Sequence, residues 1–223
     1  MIVSMDEKFK NRVTLITYFD KEDLNKVDRL MKNIKVPTCK VPYIPDTEEE
    51  RHKADIFPWH ITIFIGNKER VPQILELIKK AKKQKIKLKF NDVILQQSPK
   101  HGSTSLLLTI EQNQEMIDLQ NMFYHEFQEE KGRTASYKGK EGEKYDASKY
   151  TFHLTLDIDK DIQKIQDEYE IIKREFKPFE VEFEKLMLYN DLGGSLIAIE
   201  DMGGKEEKAT NETLDNKGEF EDR

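Results

Sequence analysis

Two short stretches pair an imidazole with a hydroxyl at the same interval: Trp59-His-Ile-Thr-Ile-Phe64 and Phe152-His-Leu-Thr-Leu-Asp157. Each His precedes its Thr by two residues inside an apolar run. On an extended strand His60 and Thr62 therefore project to one face and Ile61 and Ile63 to the other, and His153 and Thr155 part from Leu154 and Leu156 in the same way. A polar pair on such a strand is costly unless it meets solvent, a ligand or hydrogen-bonding partners. Two imidazoles with ordinary pKa values of about 6.5 can stand one protonated and one neutral near neutrality, which is what concerted acid-base cleavage of a phosphodiester needs. Each Thr hydroxyl can hold a phosphate oxygen, orienting the group between the imidazoles and stabilising the charge that gathers on it. This chemistry calls for no metal and no cofactor. Twelve threonines in 223 residues place a Thr two positions after a given His about once in twenty, so two hits among five histidines are uncommon by chance.

The second motif follows the first by 93 residues, and the surrounding elements repeat at that offset. Val13 falls on Leu106, Phe90 on Phe183, Val93 on Leu186 and Leu95 on Leu188. The first copy reads as a strand over 12–19, a helix carrying Leu24, Val27, Leu30, Met31 and Ile34, a polar loop over 36–55, a strand over 56–66, a helix with the stripe Val71, Ile74, Leu75 and Ile78, and a strand over 86–96. The second copy predicts a strand from Ser105, a helix carrying Met116, Leu119, Phe123 and Phe127, a Gly- and Lys-rich loop over 131–149, a strand over 152–158, a helix over 162–176 and a strand over 179–189. A last strand over 195–200 closes the order. Residues 12–97 and 105–190 thus read as two copies of one unit, and two copies predict a pseudo-symmetric pair of lobes with a groove between them. The expectation is a single bilobal domain over 1–202 followed by a disordered acidic tail, 203–223, with seven acids against four bases.

Composition narrows the classes. The 223 residues carry 37 Lys plus Arg against 43 Asp plus Glu, a formal net charge of −6. At this length a hydrophobic core needs no disulfide, and the single Cys39 cannot pair within the chain, which suits a reducing cytoplasm. The N-terminal residues read as no export signal, and the longest uncharged apolar stretch, 56–67, falls short of the roughly 20 residues of a membrane-spanning helix. Net acidity with interspersed signs argues against a grip on long duplex nucleic acid. The expected protein is a cytoplasmic monomer, away from membranes, acting on a nucleotide or a short RNA.

The paired motifs resemble those of the two-histidine phosphoesterases, the 2′-5′ RNA ligase or cyclic phosphodiesterase-like group, whose hallmark is a duplicated His-x-Thr/Ser-x motif with a hydrophobic fourth position. The resemblance spans residues 12–201. It implies a bilobal α+β fold in which two antiparallel sheets flank a central groove with helices outside. It also implies metal-independent chemistry on 2′,3′-cyclic phosphates, 2′-5′ linkages or cyclic nucleotides. His60 and Thr62 would serve from one lobe and His153 and Thr155 from the other, with His60 protonating the leaving oxygen and His153 activating water. In the bacterial cyclic phosphodiesterase branch a Pro commonly precedes the second motif and an Arg soon follows. Phe152 and Asp157 stand there in this chain.

Around the motifs, Trp59, Tyr150 and Tyr43 are candidates to stack a base, with aromatic packing as the competing reading. Lys131, Arg133, Lys138, Lys140, Lys144 and Lys149 make the loop before the second motif a candidate phosphate cover, against the alternative of a solvated loop balanced by Glu141, Glu143 and Asp146. His52, His101 and His125 lack the motif and read as surface or structural residues. Three functions are consistent with these features: a phosphodiesterase opening a cyclic phosphate or a 2′-5′ bond, one destroying a cyclic nucleotide or oligonucleotide signal, and a module that binds nucleotide or RNA ends without turnover. A protein working only through its acidic tail would tolerate loss of His60.

Overall fold

The structure, a computed structural model, describes residues 11–32, 59–81, 85–98, 102–127, 136–139, 143–190 and 196–201. Its elements run β1 (Arg12–Tyr18), α1 (Lys21–Met31), β2 (Thr62–Asn67), α2 (Val71–Lys80), β3 (Ile86–Ser98), β4 (Ser103–Ile110), α3 (Gln114–Glu126), β5 (His153–Asp159), α4 (Ile162–Glu175), β6 (Phe179–Phe183), β7 (Lys185–Asn190) and β8 (Leu196–Asp201). The polar loop over 36–55, the tail over 203–223, Cys39, Tyr43, His52 and His101 lie outside the described residues.

Helices start where a short polar side chain takes up the first free amides. Asp20 caps α1 by accepting from the Asp23 amide, Asn113 caps α3 at Met116, and Asp161 caps α4 at Gln163 and Lys164. In α2 the first turn holds Pro72, whose missing N–H is no loss there. Each helix then turns an apolar stripe inward, Leu24, Val27 and Met31 in α1 and Ile165 and Ile172 in α4.

The strands form two antiparallel four-stranded sheets, ordered β2-β1-β7-β8 and β5-β4-β3-β6, and with the helices they make an α+β fold. The single strand expected over 179–189 is two strands. Glu184 separates them because they serve different sheets: β6 pairs with β3, whereas β7 pairs with β1. At the position 93 residues earlier, Asn91, β3 stays continuous but shifts register against β4 between Phe90 and Asp92. Each sheet thus contains strands from both halves of the chain. Where β3 meets β6, Leu88 pairs with Val181, residues 93 apart, so the pseudo-twofold axis passes through that pair.

One hydrophobic cluster takes side chains from both sheets and all four helices, with Leu15, Phe64, Phe90, Leu108, Phe123 and Phe183 buried in it. Phe64 stacks on Phe123 with ring centroids 5.5 Å apart and also meets Tyr124 and Phe127. Deleting such a side chain costs about 3–5 kcal/mol. The outer edge of β6 is covered by α1: Asp23 accepts from the Glu182 amide at 2.7 Å and Lys26 donates to the Glu180 carbonyl at 2.8 Å. That contact removes an exposed strand edge from solvent.

Candidate active site

The two motifs meet at the junction of the sheets. Ile61, just before β2, forms an antiparallel bridge with Leu154 of β5. These residues are also 93 apart, so the bridge lies on the same pseudo-twofold relation as Leu88 and Val181. Both Ile61 and Leu154 are 0% exposed, their side chains in the core. The two chains run in opposite directions from this bridge, so His60 lies toward the Thr155 side of it and Thr62 toward the His153 side. All four are half-buried, on the face away from Ile61 and Leu154.

Backbone irregularity shapes both motifs at equivalent places. Between the pairs Leu15 with Phe64 and Ile16 with Thr62, Ile63 has no ladder partner. Between Leu106 with Asp157 and Leu107 with Thr155, Leu156 has none. Each strand therefore bulges at the apolar residue directly after the Thr, and a bulge re-aims the side chains beside it. The first motif is further held by Thr17 of β1, itself fully buried. Its amide donates to the Ile61 carbonyl and its Oγ1 accepts from the Ile61 amide, both at 3.0 Å.

His153 is oriented from behind. Its Nδ1 lies 2.8 Å from the Thr151 carbonyl and 3.4 Å from Ser136 Oγ, which in turn donates to Gln96 Oε1 at 3.1 Å. A carbonyl only accepts, so Nδ1 carries the hydrogen and the neutral ring keeps its lone pair on Nε2. The Tyr150 ring lies 6.0 Å from the imidazole, centroid to centroid, and meets Phe152 edge-on at 5.1 Å. Tyr150 is half-buried.

Trp59 has a different setting. It is 3% exposed, packs in the main core and donates its indole N–H to Asp28 Oδ1 at 3.3 Å. Burial raises the Asp28 carboxyl above the usual carboxylate range, opposed by the Trp59 hydrogen bond and the Lys32 charge. In the loop before the second motif, Lys149 pairs with Glu143 at 2.7 Å, while Lys138 and Lys144 are exposed. Lys131, Arg133 and Lys140 lie outside the described residues. His125 reaches the Tyr145 carbonyl through Nε2 at 2.9 Å, a structural contact. Among the described residues no group of three His, Cys, Asp or Glu side chains is placed to hold a metal ion, and no helix is long and apolar enough to cross a membrane.

Sequence reasoning missed the polar side chains that hold the motifs, namely Thr17, Gln96, Gln120 and Ser136. Only Gln120 left a trace, an amide between Leu119 and Phe123 on the buried stripe of α3. Thr17 reads like any strand threonine, and Ser136 and Gln96 become neighbours only through folding.

No family model matches the chain, and no curated protein does. Among solved structures, the chain is similar to E. coli LigT complexed with 3′-AMP, at 12% identity and a TM-score of 0.48, over 86% of this chain and 97% of that one. It is similar to TT0787 of Thermus thermophilus at 15% identity and a TM-score of 0.47, over 87% and 99%. For Usb1 of Kluyveromyces marxianus the values are 11% identity and a TM-score of 0.43, over 85% and 98%.

Proposed function

We propose that the protein is a two-histidine phosphodiesterase that hydrolyses a 2′,3′-cyclic phosphate or a 2′-5′ linkage in a nucleotide or RNA end. The observation that supports the reading is the bridge between Ile61 and Leu154, the middle residues of the two His-x-Thr motifs. Thr62 and Thr155 donate to the non-bridging phosphate oxygens. His153 Nε2 takes a proton from water as its oxygen forms a bond to phosphorus. His60, protonated, gives its proton to the ribose oxygen whose bond to phosphorus breaks. At the end His60 is neutral and His153 protonated, and exchange with solvent resets the pair. The half-buried Tyr150, beside His153, offers a face for a base.

The test is hydrolysis of 2′,3′-cyclic nucleotides, 2′-5′ oligoadenylate, 3′,5′-cyclic nucleotides and cyclic dinucleotides in EDTA, comparing the parent protein with His60→Ala and His153→Ala. Loss of one proton-transfer group is expected to lower kcat by about 10²–10⁴-fold. The preferred substrate names the branch. Turnover that survives both substitutions overturns the acid-base assignment, and binding without turnover of any substrate favours a nucleotide-binding module.

A further inference from the structure

The bulge in the first motif leaves Ile63, the residue after Thr62, without a ladder partner. Its partner comes from α3: Gln120, 1% exposed, donates Nε2–H to the Ile63 oxygen at 3.1 Å. The same carboxamide accepts, through Oε1, the hydroxyl hydrogen of Tyr145 at 2.7 Å. Both partners fix the amide's direction, because the Ile63 carbonyl only accepts and so must face the nitrogen.

Tyr145 stands in the segment that leads into the second motif. Its ring lies between Tyr124 of α3 and Tyr137, with centroids 4.1 Å and 4.7 Å away and interplanar angles of 21° and 13°. Tyr137 forms a backbone bridge with Tyr150, whose ring neighbours His153. A Cβ on Gly139 would collide with the Tyr137 ring and hydroxyl, so any larger residue would push against this stack. Two more groups of α3 grip the same segment, Asn121 accepting from the Ala147 amide at 2.9 Å and His125 reaching the Tyr145 carbonyl. Burial pushes the Tyr145 phenol far above its ordinary pKa, so it is a permanent hydrogen donor.

We propose that Gln120 is a positioning residue that couples the two motifs, its carboxamide linking the Ile63 bulge to the Tyr145 segment and thereby setting the first His-x-Thr motif relative to His153. The inference rests on the proposed phosphodiesterase reading for its catalytic consequence, though the linkage itself is independent of that reading. Gln120 touches no reacting atom. Its effect is on placement, and a misplacement of about 1 Å can cost on the order of 100-fold in rate.

The experiment uses the full chain with Gln120→Met, Tyr145→Phe, the double variant, and Asn113→Ala as a control that removes the N-cap of α3 away from the motifs. Gln120→Met is expected to lower kcat by at least tenfold with KM within about twofold, Tyr145→Phe by less, and the double variant no further than Gln120→Met alone, since both cut one linkage. Asn113→Ala should lower thermal stability and leave kcat in place. Backbone amide NMR gives a reading independent of turnover: Tyr145→Phe, made on the second-motif side, should shift the Thr62 and Ile63 resonances of the first. A kcat unchanged in Gln120→Met, an equal fall in Asn113→Ala, or Thr62 and Ile63 resonances untouched by Tyr145→Phe overturns the proposal. If no phosphodiester is hydrolysed by the parent protein, the phosphodiesterase reading fails and the NMR result alone decides the coupling.

Discussion

At the scale of single residues, the backbone of the motifs is held by atoms outside them. Thr17 holds the Ile61 amide with a buried hydroxyl, so Thr17→Val, nearly equal in shape, leaves that N–H without its acceptor. A buried donor stripped of its partner costs about 1–3 kcal/mol. The expected result is a lower midpoint in urea with the slope unchanged, together with a fall in kcat as His60 loses its fixed backbone. By contrast, Thr62→Val removes a donor from the proposed phosphate site while keeping the branched shape of the side chain. Loss of one such donor lowers kcat by about 10²–10³-fold, which steady-state kinetics on the preferred cyclic phosphate would check against an unchanged melting temperature.

At the scale of elements, α4 lies against β5 through a charged cluster. Lys164 donates to Asp157 at 3.0 Å and to Asp159 at 2.8 Å, and stands 3.7 Å from Glu168. The Lys164 hydrogen bond holds the Asp159 carboxyl down at about 2. Glu168 goes the other way. Burial, then the neighbouring Asp157 charge, push its carboxyl up to about 7, against the attraction of Lys164, and its Oε2 has no hydrogen-bond partner among the described residues. A carboxyl raised above its unfolded value of about 4.5 binds its proton more tightly in the folded state, so its contribution is fully present below pH 4.5 and is lost as pH rises through about 7. Thermal melts from pH 4.5 to 8 should show the parent protein losing ground to Glu168→Gln across that window; parallel curves would refute the assignment. The α1 cover on β6 has its own signature. Asp23→Ala uncovers the Glu182 amide, and the expected outcome is a less stable protein that associates through the freed strand edge, read by light scattering.

At the scale of the whole molecule, the exchange of strands makes each half depend on the other. The β2-β1-β7-β8 sheet gets β1 and β2 from the first half and β7 and β8 from the second, while β3 of the first half sits between β4 and β6 of the second. Neither sheet can form from one half alone. Unfolding should therefore be a single transition, with fluorescence of the sole tryptophan, Trp59, buried beside α1, coinciding with far-ultraviolet circular dichroism across a denaturant titration. Two separated midpoints would show that the sheets melt independently.

Much of this was legible in the sequence, and for a physical reason: strands and helices announce themselves by the spacing of their apolar residues, and a duplication preserves offsets. The alternation around His60 and His153 put Ile61 and Leu154 in the core, and the shared offset of 93 made the two motifs equivalents. Periodicity says nothing about which sheet a strand joins. The alternation over 179–189 changes phase at Glu184 and Lys185, from Phe179, Val181 and Phe183 to Leu186 and Leu188, but only the pairing with β3 and with β1 assigns the two parts to different sheets. Nor does periodicity encode which residue a bulge leaves without a ladder partner, so the partnership of Gln120 with Ile63, and of Thr17 with Ile61, is set by packing between distant segments. Residue type and interval determined what chemistry the chain can attempt. The tertiary structure decided that the two motifs adjoin, because residues 93 apart become neighbours only where the two sheets meet at the bridge between Ile61 and Leu154.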